Sequence, residues 1–278
     1  MSVPRPIMRY HGGKWRIAPW IISHFPEHRV YVEPYGGAGS VLFRKPRSEA
    51  EVWNDLDDGV YNVFRVVRHP VKSRMLAAAL YMTPWSRREF FNSYKRGFGQ
   101  VERARRTIVR SQMAFGTTFN REHRTGFRAK TWVESSPATN VWMKFPAEIQ
   151  AFTERLRGVV LENRPGIEVI KHQDQATTLF YLDPTYLNQT RTSIRCEAET
   201  DRSYTHNLTD AEHEELLKTL LKIKGMAIIS GYRSEMYMDI LSGWRSTKKD
   251  VMADGAQKRV EYLWLSPSIP EKQLHFSF

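Results

Sequence analysis

The run Phe180-Tyr181-Leu182-Asp183-Pro184-Thr185-Tyr186 constrains the fold more than any other stretch of the chain. Thr178 to Leu182 is short, apolar and bounded by polar residues, the pattern of a strand buried on both faces of a parallel sheet. Pro184 has no N–H for a ladder, so the strand stops before it. Asp183 and Tyr186 then belong at a strand's C-terminal edge, where open α/β sheets bind ligands. A carboxylate, the Pro184 carbonyl and an aromatic face suit a flat base that carries an amino group: two acceptors meet the amino hydrogens while Tyr186 stacks on the ring. An ordinary strand-to-loop exit fits the same residues, so the assignment needs support from the rest of the chain.

A chain of 278 residues can bury one core, or one core plus a smaller inserted domain. The single cysteine, Cys196, excludes an internal disulfide and a Cys-rich metal site. Met1 to Tyr10 lacks an apolar leader and no run is long enough to span a bilayer, so a cytoplasmic protein is expected. A net charge of +12 favours a polyanionic partner. Between Trp85 and Arg157 stand fifteen Lys/Arg against six Asp/Glu, which places nine of those twelve charges in one segment. With no repeat or low-complexity tract, this segment reads as a folded basic insert; it lacks the clean amphipathic face of a membrane-surface helix.

Upstream, Tyr10-His11-Gly12-Gly13-Lys14 is a glycine turn that offers N–H groups and an ammonium to an anion, ahead of the apolar-periodic segment Trp15 to Phe25. Val30 to Val32 then leads through Glu33-Pro34-Tyr35-Gly36-Gly37-Ala38-Gly39-Ser40, a strand, a glycine-rich turn and a helix start of nucleotide-binding type. This is not G-x-G-x-x-G, and Glu33 would repel a pyrophosphate. An acid there suits an ammonium, such as the amino acid part of S-adenosylmethionine. A second strand, Glu51 to Trp53, ends in Asn54-Asp55, and an acid at that place holds a ribose diol. Asp55 is the candidate, although it could equally cap the helix running to Arg68, the role expected of Asp57. Val169 to Asp174 leads into the central strand; Asp174 could accept from a cofactor's adenine amino group or belong to a surface turn.

Helices are expected over Ser86 to Lys95, Val101 to Ala114 and Phe145 to Arg157. Between them Phe115, Phe119, Phe127 and Trp132 interleave with Arg121, Arg124, Arg128 and Lys130. Arginines bind phosphates and read guanine edges, and aromatics stack on bases, so this is the candidate nucleic-acid reader. A solvated basic face over an aromatic core has the same composition. After Tyr186 a long polar stretch, Asn188 to Asn207, carries Arg191, Arg195 and Arg202 beside the site.

Together these segments resemble the Dam-type, or D12 class, DNA adenine-N6 methyltransferases over nearly the whole length. Tyr10-His11-Gly12-Gly13-Lys14 resembles the family's W/Y-x-G-G-K, Glu33 to Ser40 its E-P-F-x-G-x-G-S cofactor loop, Asn54-Asp55 its ribose-binding acid and Asp183 to Tyr186 its D-P-P-Y. The resemblance implies a Rossmann-like sheet of the S-adenosylmethionine-dependent methyltransferases with helices on both faces, formed by residues 1–75 and 158–278, plus an inserted, mostly helical DNA-recognition domain over 76–157. It implies catalytic roles for Asp183, Pro184 and Tyr186, and cofactor contacts from Tyr10, Lys14, Glu33, Pro34, Tyr35, Gly36, Gly37, Ala38, Gly39, Ser40, Asp55, Asp174 and Asp183. Double-stranded DNA is the implied partner, met by Arg121, Arg124, Arg128, Lys130 and Arg191, with no metal; the oligomeric state, monomer or weak dimer, is left open by the sequence. Thr185 departs from the family's second proline, and its loss would loosen the Pro184 carbonyl. An amino-methyltransferase acting on cytosine N4 or RNA, or a decayed relative that only binds DNA, would share much of this pattern.

Overall fold

Buried apolar runs supply the centre of a seven-stranded mixed sheet. The computed structural model describes residues 3–116, 124–129, 138–187, 206–252 and 258–271. In chain order the elements are α1 (Ala18–Ile22), β1 (Val30–Glu33), β2 (Ala50–Asn54), α2 (Asp58–Arg68), α3 (Pro70–Tyr81), α4 (Arg87–Asn92), α5 (Gln100–Met113) and α6 (Ala138–Leu156). Then follow β3 (Val159–Glu162), α7 (Gly166–Gln173), β4 (Thr178–Leu182), α8 (Asp210–Leu220), β5 (Met226–Gly231), α9 (Glu235–Ile240), β6 (Arg245–Met252) and β7 (Lys258–Leu265).

The strands lie in the order β3-β2-β1-β4-β5-β7-β6. The first five run parallel, and β7 is antiparallel to both of its neighbours. From β1 the chain proceeds outward to β2 on one side and later returns to β4 on the other, so a crevice opens between β1 and β4 at their C-terminal ends. Val32 pairs with Phe180, which brings Glu33 and Asp183 out of the sheet at the same edge. All five residues of β4 are buried, as its apolar run implies.

Alternation along the strands divides the core. Tyr31, Trp53, Leu179, Tyr181, Ile228 and Leu263 face one cluster; Val32, Val52, Phe180, Leu182, Ala227 and Ile229 face the other. Helices α2, α3, α5 and α6 cover the first face, and α7, α8 and α9 the second. Leu76, Phe90, Ile108, Phe145 and Phe152 belong to the same cluster as Trp53 and Phe64, so the helical stretch between α2 and β3 shares the core of the sheet. Each such aromatic or aliphatic side chain contributes roughly 1.5 to 3 kcal/mol through burial.

Several local expectations change. Val169 to Gln173 lies in helix α7, opened by Pro165 and Gly166, and not in an extended lead into β4. The expected border between residues 75 and 76 falls inside α3, while the one between 157 and 158 falls at the turn joining α6 to β3. The helix anticipated after the glycine loop is a set of turns, with Phe43 N–H donating to Gly39 O and Lys45 N–H to Val41 O. Pro46 ends it, since a proline disfavours helical geometry in the preceding residue and brings no N–H of its own. Among the described residues no helix is long and apolar enough to cross a membrane.

Candidate active site

The C-terminal ends of the parallel strands border a cavity of about 630 Å³, a size suited to a cofactor. Its floor is the glycine loop, whose path follows from packing. A side chain at Gly36 would come within 2.1 Å of the Trp53 indole, which is itself stacked on Phe64 at 3.8 Å. Gly37 adopts a φ of 49° and lies under the Tyr10 ring, where an added Cβ would stand 3.0 Å away. Its N–H donates to Asp55 Oδ2 at 2.8 Å, and Asp57 N–H donates to Asp55 Oδ1, also at 2.8 Å. Asp57 caps α2, accepting from Gly59 and Val60, as its position implied.

Asn54 is the brace that sequence reading passed over. Its Nδ2 donates to Pro34 O at 2.7 Å and to Arg164 O at 2.9 Å, and its Oδ1 accepts from Arg164 N–H at 2.9 Å, tying the cofactor loop to the exit of β3. Tyr10, Lys14, Glu33, Pro34, Tyr35, Gly36, Gly37, Ala38, Ser40, Asp55 and Asp183 all line the cavity. Gly39 packs beneath it, against Phe43 and Phe64. Asp174 does not join them: its carboxylate accepts from Lys224 N–H and Gly225 N–H at 2.9 Å, bracing the turn before β5 near the opposite edge of the sheet. The cavity wall beyond β3 is built instead from Arg164, Pro165 and Gly166.

Burial pushes the Glu33 carboxyl up to about 7, against the Tyr31 hydroxyl, the Leu42 N–H and the cations of Lys45 and Arg155. Asp55 is likewise pushed up to about 7 by burial and by the Asp57 charge, against two backbone N–H groups. Both acids stand where a ligand ammonium or hydroxyl would compensate them.

At the end of β4, Asp183 Oδ1 is held by the Lys14 ammonium at 2.9 Å and accepts from the Ser230 hydroxyl at 3.0 Å. Ser230 in turn lies 3.1 Å from the Tyr181 hydroxyl. Lys14 is only 4% exposed. It was expected to meet an anionic ligand, yet its partners here are the protein's own Asp183 and, at 3.6 Å, Glu261 on β7. Burial opposes its charge, but these carboxylates outweigh it and hold Lys14 well above the usual lysine value. The Tyr186 hydroxyl accepts from Lys14 and donates to Glu261 at 3.3 Å. Burial, aided by Asp183, pushes Glu261 up to about 7 against the pull of Lys14 and Tyr186. Glu261 had a signal in the sequence: it shares the strand face of Leu263 and Leu265, which are buried, and a charge on a buried face needs a partner.

Thr185 has work of its own, its hydroxyl accepting from Leu208 N–H at 3.0 Å. This bond fastens the third position of the tetrad to the segment that enters α8, a restraint of a different kind from a proline ring. Among the described residues no cluster of three or more His, Cys, Asp or Glu could hold a metal ion.

Several cations of the basic segment are engaged within the fold. Arg105 pairs with Glu102 and Glu89, Arg106 reaches Glu102 and the Lys95 carbonyl, and Arg110 donates to Ser93 O inside the fold. These cations hold the helices together. Arg87 and Arg124 instead lie beside aromatics, Arg87 5.1 Å from the Phe127 ring and Arg124 5.8 Å from Tyr94, while Trp85 donates to the backbone carbonyl of Arg128. Phe127 itself packs on Trp85 and Phe90 as core, whereas Phe115 is exposed. Arg121, Lys130 and Arg191, with Phe119 and Trp132, lie outside the described residues.

Two DNA adenine methylases, from Vibrio cholerae serotype O1 strains ATCC 39541 and ATCC 39315, are each 28% identical to this chain over 105 residues, 37% of the chain and 38% of each relative. The match thus spans less than two fifths of those proteins. Over residues 10–277, which include both the cavity loop and the Asp183 to Tyr186 edge, the sequence matches the D12 class N6 adenine-specific DNA methyltransferases, and the chain belongs to that family.

Proposed function

We propose that this chain transfers a methyl group from S-adenosylmethionine to the N6 amino group of an adenine extruded from duplex DNA. The observation that carries the reading is the position of Asp183. It lines the cofactor-sized cavity on one side, and through Lys14 it is joined to Tyr186 on the other. Recovery of N6-methyladenine from DNA treated with the protein and labelled S-adenosylmethionine tests it.

S-adenosylmethionine, when bound, supplies an electrophilic methyl sulfonium. Glu33 is placed to take the ammonium of its amino acid part, and Asp55, at the end of β2, its ribose hydroxyls. The chemistry left to the protein concerns the acceptor. An adenine amino nitrogen is a weak nucleophile because its lone pair is delocalised into the ring. With Oδ1 fixed by Lys14 and Ser230, Asp183 can offer Oδ2 to one amino hydrogen while the Pro184 carbonyl takes the other, which favours a more pyramidal nitrogen. Positioning that nitrogen in line with the methyl group can supply roughly 7 to 11 kcal/mol of the barrier. Extruding the base costs on the order of a few kcal/mol, offset by stacking on Tyr186 and by phosphate contacts.

Two results are expected from the cavity acids and from Arg87 and Arg124. Binding a cation at Glu33 requires its ionised form, so S-adenosylmethionine affinity should rise from pH 6 to 8, levelling above the value of about 7 shared by Glu33 and Asp55, with proton release in calorimetry. The same shifts act on folding with the opposite consequence: without cofactor the folded state holds protons that the unfolded chain has lost, so stability falls as pH rises from about 4 to about 7. A flat affinity profile without proton release would count against Glu33 as the ammonium site. Replacing Arg87 and Arg124 by Ala should weaken duplex binding irrespective of sequence and make the salt dependence shallower by about one unit per lost phosphate contact. An unchanged slope would move the DNA to another face.

A further inference from the structure

Asp183 lines the cavity, whereas the rings of Tyr186 and Tyr232 lie outside its lining. Tyr232 follows Gly231, the last residue of β5, and β5 neighbours β4 in the sheet. The two ring centroids are 4.3 Å apart and tilted by 34°. Each hydroxyl has a charged anchor: that of Tyr186 bonds to Lys14 and Glu261, and that of Tyr232 accepts from Arg259 of β7 at 3.2 Å. Both rings are only half-buried, although they stand at the edge where an acceptor base must arrive.

We propose that Tyr232 is the second plane of a slot for the target base, with Tyr186 as the first. This rests on the reading that Tyr186 stacks on an extruded adenine. At 4.3 Å the rings leave no room for a third. A base between them needs a gap of about 7 Å, two van der Waals spacings of about 3.5 Å each. Without DNA the rings cover each other's apolar faces; entry of the base parts them and exchanges one ring contact for two. Since every base has a π-face, the slot would hold the base without choosing it, and the choice falls to the acceptors on Asp183 and Pro184.

The test uses the full chain and duplex DNA containing its mapped methylation site, comparing Tyr232→Ala, Tyr232→Leu, Tyr232→Phe and Tyr232→Trp. Stacking predicts a kcat/KM about 10- to 100-fold lower for Ala and Leu, near wild-type values for Phe and Trp, and unchanged S-adenosylmethionine affinity throughout. A mismatch opposite the target adenine lowers the cost of extrusion and should recover part of the loss in the Ala and Leu variants. If Ala disrupts folding, the comparison of Leu with Phe decides the matter. Tyr232→Leu as active as wild type would reduce Tyr232 to packing and overturn the proposal. A wild-type protein that methylates no adenine would remove the underlying reading and this proposal with it, whereas an active wild type matched by Tyr232→Leu removes this proposal alone.

Discussion

Asp183→Ala is expected to lower single-turnover methyl transfer by about 10³-fold or more while largely retaining duplex binding. The carboxylate is in contact with both the Lys14 ammonium and the Ser230 hydroxyl, so its removal takes away both an acceptor and the frame that aims it. Losing one preorganised polar contact at a reacting centre costs about 10²- to 10³-fold in comparable sites, and here the second acceptor would also lose its partner in orienting the amino group. The fold should survive, because Lys14 keeps Glu261 as a counter-charge and the Tyr186 hydroxyl as a hydrogen-bond partner. Methyl incorporation and gel-shift binding on one preparation check both parts, and an Asp183→Ala protein transferring methyl at the wild-type rate would sink the mechanism.

The largest effect on stability is expected from Arg155→Ala. Arg155, near the end of α6, grips Glu51 of β2 through both guanidinium nitrogens, at 2.5 and 2.9 Å, and donates to Leu42 O at 2.6 Å. Lys45 completes the group, 2.7 Å from Glu51, and the Lys45 and Glu51 side chains are all but fully buried. Burial alone would raise Glu51, but Arg155 and Lys45 outweigh it and hold the carboxyl below its usual value. Its contribution is therefore present above the ordinary glutamate range and is lost as pH falls through the lowered value. Removing one partner from a buried ion group costs about 3 to 5 kcal/mol, a large share of the roughly 5 to 15 kcal/mol that holds a domain together. Urea unfolding at neutral pH should show the loss, and a midpoint within error of wild type would mean that Lys45, Arg47 and the Ser48 N–H satisfy Glu51 without Arg155. Because Leu42 lies just beyond the glycine loop, the variant should weaken cofactor binding as well.

What the sequence disclosed depended on how far each signal was local. The apolar run of β4 followed by Asp183-Pro184, and the strand and glycine loop around Glu33 to Ser40, carry their geometry in adjacent residues, and the two segments do meet across one crevice. Asp57 as a helix cap was equally readable. Strand β6, Arg-Ser-Thr-Lys-Lys-Asp-Val-Met, was not, since an edge strand exposed to solvent carries the lysines that protect such edges and shows no apolar alternation. Of the two roles open to Asp174 the turn is the one seen, because Val169 to Gln173 is helical and its end delivers Asp174 to the N-terminal side of β4, where it holds Lys224 and Gly225. Glu261, Ser230 and Tyr232 come from strands distant in sequence, and only the order β4-β5-β7 brings them to Asp183 and Tyr186. The charge count over Trp85 to Arg157 was correct as a sum but silent on how much of it is internal. Arg105, Arg106, Arg110 and Arg155 serve the fold, while others of the described cations, Arg87, Arg88 and Arg124 among them, stand exposed.

The central claim is tested most directly by incubating the protein with unmethylated bacterial duplex DNA and S-adenosylmethionine labelled in its methyl group, then digesting the DNA to nucleosides and locating the label. Label in N6-methyladenine, and in no other nucleoside, is the predicted result, with the modified sites giving the recognised sequence. Label in N4-methylcytosine would contradict the assignment of adenine, and DNA retained by the protein without any transfer of label would contradict the assignment of catalysis.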